Sequence, residues 1–106
     1  MPVVLSAEQR KILMSRLSEN LPVFRAKLNI SQEGLADIID VTRQTISAFE
    51  SNHREMTWSI FLALILVFFR NQKTKRLLVA LDIYTPELDA FLAIKDGTNT
   101  KIREGN

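Results

Sequence analysis

The strongest constraint on the fold is an apolar run from Trp58 to Phe69, in which Ser59 is the only polar residue. A helix over this run is apolar around its whole circumference, so other segments must cover it. The run has twelve residues, whereas a membrane-spanning helix needs about 20. The sequence therefore predicts a buried core helix that begins after a cap at Thr57.

Composition favours an all-α fold in one compact domain. The chain has 106 residues, three glycines and three prolines, and no long alternation of apolar and polar residues, which is typical of helices. It has no cysteine, which excludes disulfides, zinc knuckles and thiol chemistry. Met1 to Leu5 lead directly into a polar stretch, so we expect no signal peptide and a cytoplasmic location.

The first part of the chain carries signals for two helices. A capping box that begins at Ser6 predicts a helix from Ala7 to Glu19. Pro22 should interrupt any continuation, because proline lacks a backbone N–H and its ring disturbs the preceding turn. Asn20 can then cap a second helix that extends through Leu28.

Later helices are also marked by side-chain caps. Ser31 and Thr42 begin two short helices, and a further helix covers Gln72 to Leu81. Thr85, followed by a proline, is a strong start signal for a last helix that ends near Ile94. We therefore expect about five to seven helices in all.

The segment from Ser31 to Glu50 has the pattern of two short helices joined by a tight turn at Asp40. Such helices cross at a steep angle and share a small core. Ala36 must be small because the second helix passes close to it. Apolar residues at the required spacing supply the core, namely Leu35, Ile39, Val41, Ile46 and Phe49. Polar residues fall at the exposed start and outer face of the second helix, namely Thr42, Arg43, Gln44, Thr45 and Ser47.

From about Leu21 to Phe68 the sequence resembles the Cro and phage-repressor (Xre-type) helix-turn-helix family, and Thr42 to Ser47 is written almost as in that family. The resemblance implies a lambda-repressor-like bundle with extra N- and C-terminal helices. It also implies a transcription regulator that binds double-stranded DNA. The resemblance alone suggests that this regulator is a repressor. The predicted organisation is one DNA-binding domain at 1–94, with the helix-turn-helix at 31–52, a C-terminal helical extension at 70–94 and a polar tail at 95–106.

The resemblance assigns roles to individual residues. Gln32 should contact a phosphate and brace the second helix, while Arg25 and Glu50 occupy the positions of an ion pair. Residues at the start of the second helix should face base edges or the backbone, and two more follow in the next loop. The predicted DNA-binding set is Gln32, Thr42, Arg43, Gln44, Thr45, Ser47, His53 and Arg54.

Side-chain chemistry supports these roles independently. Gln44 offers a donor and an acceptor that match the N6/N7 edge of adenine, and Arg43 can fork onto O6/N7 of guanine. The sequence departs from the family at two turns. Asp40 stands where glycine is usual, and the loop from Ser51 to Arg54 has no glycine. Asp tolerates the left-handed conformation that such a turn requires.

Other interpretations stay open at this point. The motif can be a packed helical corner without nucleic acid, in which Arg43 and Gln44 are ordinary solvated residues. An antitoxin-like module of the same fold, which binds a toxin partner and regulates its own promoter, is the main alternative. We expect no enzyme and no cofactor, because no opposed carboxylates or Ser/His/Asp arrangement is recognisable. His53 is the only histidine, so no metal site is expected.

The distribution of charge and an apolar face of the core helix indicate which partners the chain binds. From Asn20 to Arg76 there are eight Lys/Arg against five Asp/Glu, and from Leu77 to Asn106 three against five, which suits DNA binding by the first part. In the apolar helix, Ile60, Ala63 and Val67 share a face that the family often leaves polar. The chain's added helices or a second copy must cover this face. We expect a homodimer, with its interface there or in the C-terminal third.

Overall fold

The computed structural model describes residues 4–94, which form six α-helices and no strand. The all-α prediction is confirmed, and the number of helices lies within the expected range. The predicted polar tail at 95–106 lies outside the described residues. In chain order the helices are α1 (Ala7–Leu28), α2 (Gln32–Ile39), α3 (Arg43–Glu50), α4 (Trp58–Phe69), α5 (Gln72–Ala80) and α6 (Pro86–Leu92).

The predicted break at Pro22 is wrong, because α1 continues through it as one helix of 22 residues. Pro22 lies on the exposed side of α1, while Leu21 and Phe24 are fully buried. Their packing outweighs the backbone hydrogen bond that proline forfeits. Asn20 does not cap a helix; its side-chain amide donates to the carbonyl of Arg16 at 2.8 Å. At this position, tertiary packing therefore outweighs the local tendency of proline to interrupt a helix.

Apart from Asn20, the predicted N-caps are confirmed by their hydrogen bonds. Ser6 and Gln9 form a reciprocal capping box. At each of four later helices, the cap hydroxyl accepts from the backbone N–H three residues on, which satisfies a donor that the helix leaves unpaired. These caps are Ser31, Thr42, Thr57 and Thr85. The last helix ends at Leu92, two residues before the predicted end at Ile94.

Helix α4 is the centre of the core, as its composition predicts. Phe61, Leu64 and Phe68 are fully buried, and the ring of Phe68 lies 4.7 Å from that of Phe24 in α1. The other helices surround α4 with buried apolar side chains, which include Leu17, Leu21, Leu35, Ile46, Leu78 and Leu88. Among residues 4–94, no helix is long and apolar enough to cross a membrane.

The segments outside the helix-turn-helix are tied to the same core. The guanidinium of Arg10 in α1 lies 5.0 Å from the ring centroids of both Trp58 and Phe91, so a cation–π contact joins α1, α4 and α6. The side chain of Arg16 donates to the carbonyl of Asp82 at 2.8 Å. The long α1 therefore holds the C-terminal helices in place.

Candidate nucleic-acid interface

The corner between α2 and α3 has the predicted geometry. Asp40 adopts the left-handed conformation, with φ 60° and ψ 49°, and the N–H of Val41 donates to the carbonyl of Ala36 at 3.0 Å. Leu35 and Ile46 are fully buried across the corner. An aspartate therefore makes the turn for which the resembling family usually has a glycine.

The predicted core of this corner is confirmed. Ala36 and Phe49 are each 1% exposed, which supports the expectation that position 36 must be small. Ile39 and Val41 are half-buried and pack against the core cluster. The buried side of both short helices is thus occupied by packing, and their exposed side, which is polar apart from Ile38, remains available to a partner.

The start of α3 exposes a compact polar surface. Thr42, Arg43 and Gln44 are exposed, while Thr45 and Ser47 are half-buried. The Thr42 hydroxyl is engaged in capping: it accepts from the N–H of Thr45 at 3.2 Å and lies 2.9 Å from the Thr45 hydroxyl. Arg43 and Gln44 are therefore the two long polar side chains that the first turn exposes.

A hydrogen-bond network connects the start of α3 to the neighbouring helices and supports this surface. The guanidinium of Arg25 donates to both carboxylate oxygens of Glu50, at 2.7 and 2.9 Å. The amide of Gln32 donates to the same carboxylate at 3.0 Å. Arg43 in turn donates to the side-chain oxygen of Gln32 at 3.3 Å. The network links α1, α2 and both ends of α3.

Electrostatics explain why the carboxylate of Glu50 needs these partners. The side chain of Glu50 is only 9% exposed, and a buried carboxylate must be paired to avoid a large desolvation cost. A bidentate contact with a guanidinium is the strongest geometry for such a pair. The hydrogen bond to Glu50 raises the pKa of Arg25 above its ordinary value. The predicted ion pair is confirmed, and so is the bracing of the second helix by Gln32.

The loop after α3 forms a second exposed polar surface. Asn52 adopts the left-handed conformation with φ 62°, in the stretch where the resemblance would place a glycine. The hydroxyl of Ser51 lies 2.7 Å from Nδ1 of His53. Arg54 is exposed, and its guanidinium lies 5.9 Å from the Phe49 ring centroid. His53 and Arg54 thus lie just beyond the C-terminal end of α3, and Arg43 at its start.

Sequence reasoning missed the neighbours of Arg54. A cavity of about 140 Å³ separates the loop from α1, and Lys11, Ser15 and Ser18 line it together with Arg54 and Glu55. Lys11 therefore adds a second cation beside the loop. No local pattern reveals this proximity, because it depends on the uninterrupted course of α1 through Pro22.

Comparison with known proteins agrees with the motif. Residues 24–66 match the family model described as Helix-turn-helix, of the Cro and phage-repressor kind. This segment is a helix-turn-helix domain of the Xre/Cro-type family, which the pattern from Leu21 to Phe68 predicted. Members of that family are DNA-binding regulators. No curated protein and no solved structure was found to match the chain.

Proposed function

We propose that the chain is a sequence-specific transcription regulator, and a repressor, that inserts α3 into the major groove of duplex DNA. The observation that carries the proposal is the first turn of α3. This turn exposes Arg43 and Gln44. The network of Arg25, Glu50 and Gln32 attaches the helix to α1 and α2. A rigid helix with a free polar N-terminal turn is the geometry with which helix-turn-helix proteins read base edges.

The exposed residues divide into two roles. Gln44 reads adenine through a bidentate contact, and Arg43 reads guanine. Thr42, Thr45 and Ser47 approach backbone or bases beside them. Gln32 at the start of α2, and His53 and Arg54 in the loop, contact phosphates and set the register of α3 in the groove. Phosphate contacts at both ends of α3 fix its position, and only the central residues carry sequence information.

The regulator binds as a pair. A single short recognition helix contacts one half-site, and two copies about 34 Å apart reach successive major grooves on one side of the duplex. Pairing gives the operator an approximate two-fold symmetry that mirrors that of the protein.

Selection of bound sites from a random pool of duplex DNA tests this function. The full chain should recover a palindromic site with half-sites one helical turn apart. The affinity of a recovered duplex, measured over a range of salt concentrations, should exceed that of a scrambled duplex by at least about 1000-fold. A pool that shows no enrichment, or equal affinity for both duplexes, would contradict sequence-specific binding.

A further inference from the structure

An apolar groove lies outside the helix-turn-helix, on the surface between α4 and α6. It is open to solvent and has a volume of about 320 Å³. No residue of α2 or α3 lines it, so an occupant leaves the predicted DNA-binding residues exposed. The lining residues are Leu62, Ile65, Leu66, Phe69, Tyr84 and Leu92.

Leu66 forms a protruding apolar side chain at this groove, with 66% of its surface exposed. Leu62, Leu66 and Phe69 follow one another at helical spacing along α4, so they form one stripe. A protrusion and a depression on the same surface allow a self-complementary two-fold contact, because each copy then supplies both parts. Single exposed apolar residues are ordinary in proteins; a leucine that borders an apolar groove is a docking feature.

The charges beside the groove also suit a second copy. The Lys75 ammonium lies 4.6 Å from the centroid of the Phe69 ring, and Asp89 accepts a hydrogen bond of 2.7 Å from the Tyr84 hydroxyl. The groove itself is lined by uncharged side chains, and one cation (Lys75) and one carboxylate (Asp89) lie beside it. A second copy brings charges of both signs to the same surface and can therefore match each of them, whereas a strongly charged partner would meet one like charge.

We infer that this groove is the interface between two copies of the chain, with Leu66 of each copy seated in the groove of the other. This inference rests on the proposed function in one respect: the proposed function requires two copies of the chain at paired half-sites. Residues 95–106 fit the groove less well, since Ile102 is their only large apolar residue. The face of Ile60, Ala63 and Val67 has no counterpart to the exposed Leu66, because all three of its side chains are half-buried.

The mass of the full chain in the absence of DNA tests the inference. Sedimentation equilibrium at micromolar to tens of micromolar protein should show a dimer for the wild type. Leu66→Asp should raise the dimer dissociation constant at least about tenfold, because it buries a charge at the centre of the contact. Val79→Asp is the matched control. Val79 is also an exposed apolar helical residue, at 54%, but it does not line the groove, and its variant should dimerise as the wild type does.

A second variant guards against misfolding. Leu66→Ala keeps a strong helix former and introduces no charge, so it should weaken the dimer with an unchanged circular dichroism spectrum. Its melting temperature should fall only at protein concentrations where the wild type is dimeric, because dimerisation stabilises the folded chain. A wild type that is monomeric throughout the concentration range would overturn the inference. So would Leu66 variants that fold normally and dimerise as tightly as the wild type.

DNA separates this inference from the proposed function. On a duplex with a single half-site, Leu66→Ala should bind as the wild type does, whereas on a paired site it should lose the cooperative part of the affinity. Equal loss on both duplexes would contradict the assigned surface. If no duplex is bound specifically, the proposed function fails, and the masses measured without DNA still decide the interface.

Discussion

Glu50 shows how a single residue organises the predicted DNA-binding surface. Its carboxylate accepts hydrogen bonds from Arg25 and Gln32, and Gln32 in turn accepts one from Arg43. The buried charge is paired and both of its oxygens accept hydrogen bonds, which is the condition for a stable buried carboxylate. Loss of DNA binding in a Glu50 variant would therefore reflect displaced helices as readily as a lost contact with DNA. Exposed residues without such partners give cleaner tests.

Arg54 is one such residue, and its replacement by alanine should weaken binding to all duplexes similarly. A phosphate contact releases counterions, so its loss should flatten the slope of log K against log salt by about one unit. Fluorescence anisotropy at several salt concentrations measures that slope. Arg76→Ala is the control, because Arg76 is exposed on α5 outside the proposed DNA surface. An unchanged slope in Arg54→Ala would remove Arg54 from the phosphate-contacting residues.

Tyr84 gives a test that is independent of DNA. Burial, together with its hydrogen bond to Asp89, raises the pKa of Tyr84 from 10.0 to about 12. Because the folded pKa is the higher one, the contribution of Tyr84 to stability is complete below pH 10 and is lost between pH 10 and about 12. It is the only tyrosine in the chain, so tyrosinate absorbance reports on it alone.

The absorbance of the folded protein should therefore rise well above pH 10. In Asp89→Asn the midpoint should move down, since the neighbouring charge no longer opposes ionisation. A wild-type midpoint at 10.0 in protein that is still folded by circular dichroism would contradict the packing of Tyr84 against α6.

At the scale of helices, local signals succeed where the physics is local. Ser31 and Thr42 are recognisable as caps because the bond that each accepts comes from three residues away. Asp40 and Asn29 are likewise found in the left-handed conformation, which suits short polar residues after a helix. The same reasoning fails at Pro22, because the continuity of α1 depends on how the buried side of α1 packs against the other helices.

Pro22→Ala tests that explanation of α1. An alanine restores the missing backbone donor and relieves the ring contact, so the free energy of unfolding should increase by about 1–3 kcal/mol. Urea denaturation followed by circular dichroism measures the change. Val23→Ala is a control at the adjacent, exposed position, and it should change stability by less than about 1 kcal/mol. A Pro22→Ala variant that is less stable than the wild type would show that α1 needs the proline.

At the scale of the whole molecule, the long α1 and the central α4 join the helix-turn-helix to the C-terminal helices. The sequence predicts that α4 is buried but not which side stays open, because all its faces are apolar. Leu64 is fully buried and Leu66 is the one large apolar residue of α4 that is exposed, a difference that only the positions of α5 and α6 decide. The proximity of Lys11 to Arg54 is hidden for the same reason. Motif residues were predictable; surfaces formed between distant segments were not.

The replacement Gln44→Ala tests whether α3 reads bases through its first turn. The measurement is the affinity of the variant for a selected site and for a scrambled duplex at one salt concentration. Gln72→Ala serves as the control, because Gln72 is an exposed glutamine on α5. Gln44→Ala should lose about 1–3 kcal/mol on the selected site and almost nothing on the scrambled duplex. Equal losses on both duplexes, or none on either, would contradict base reading by the first turn of α3.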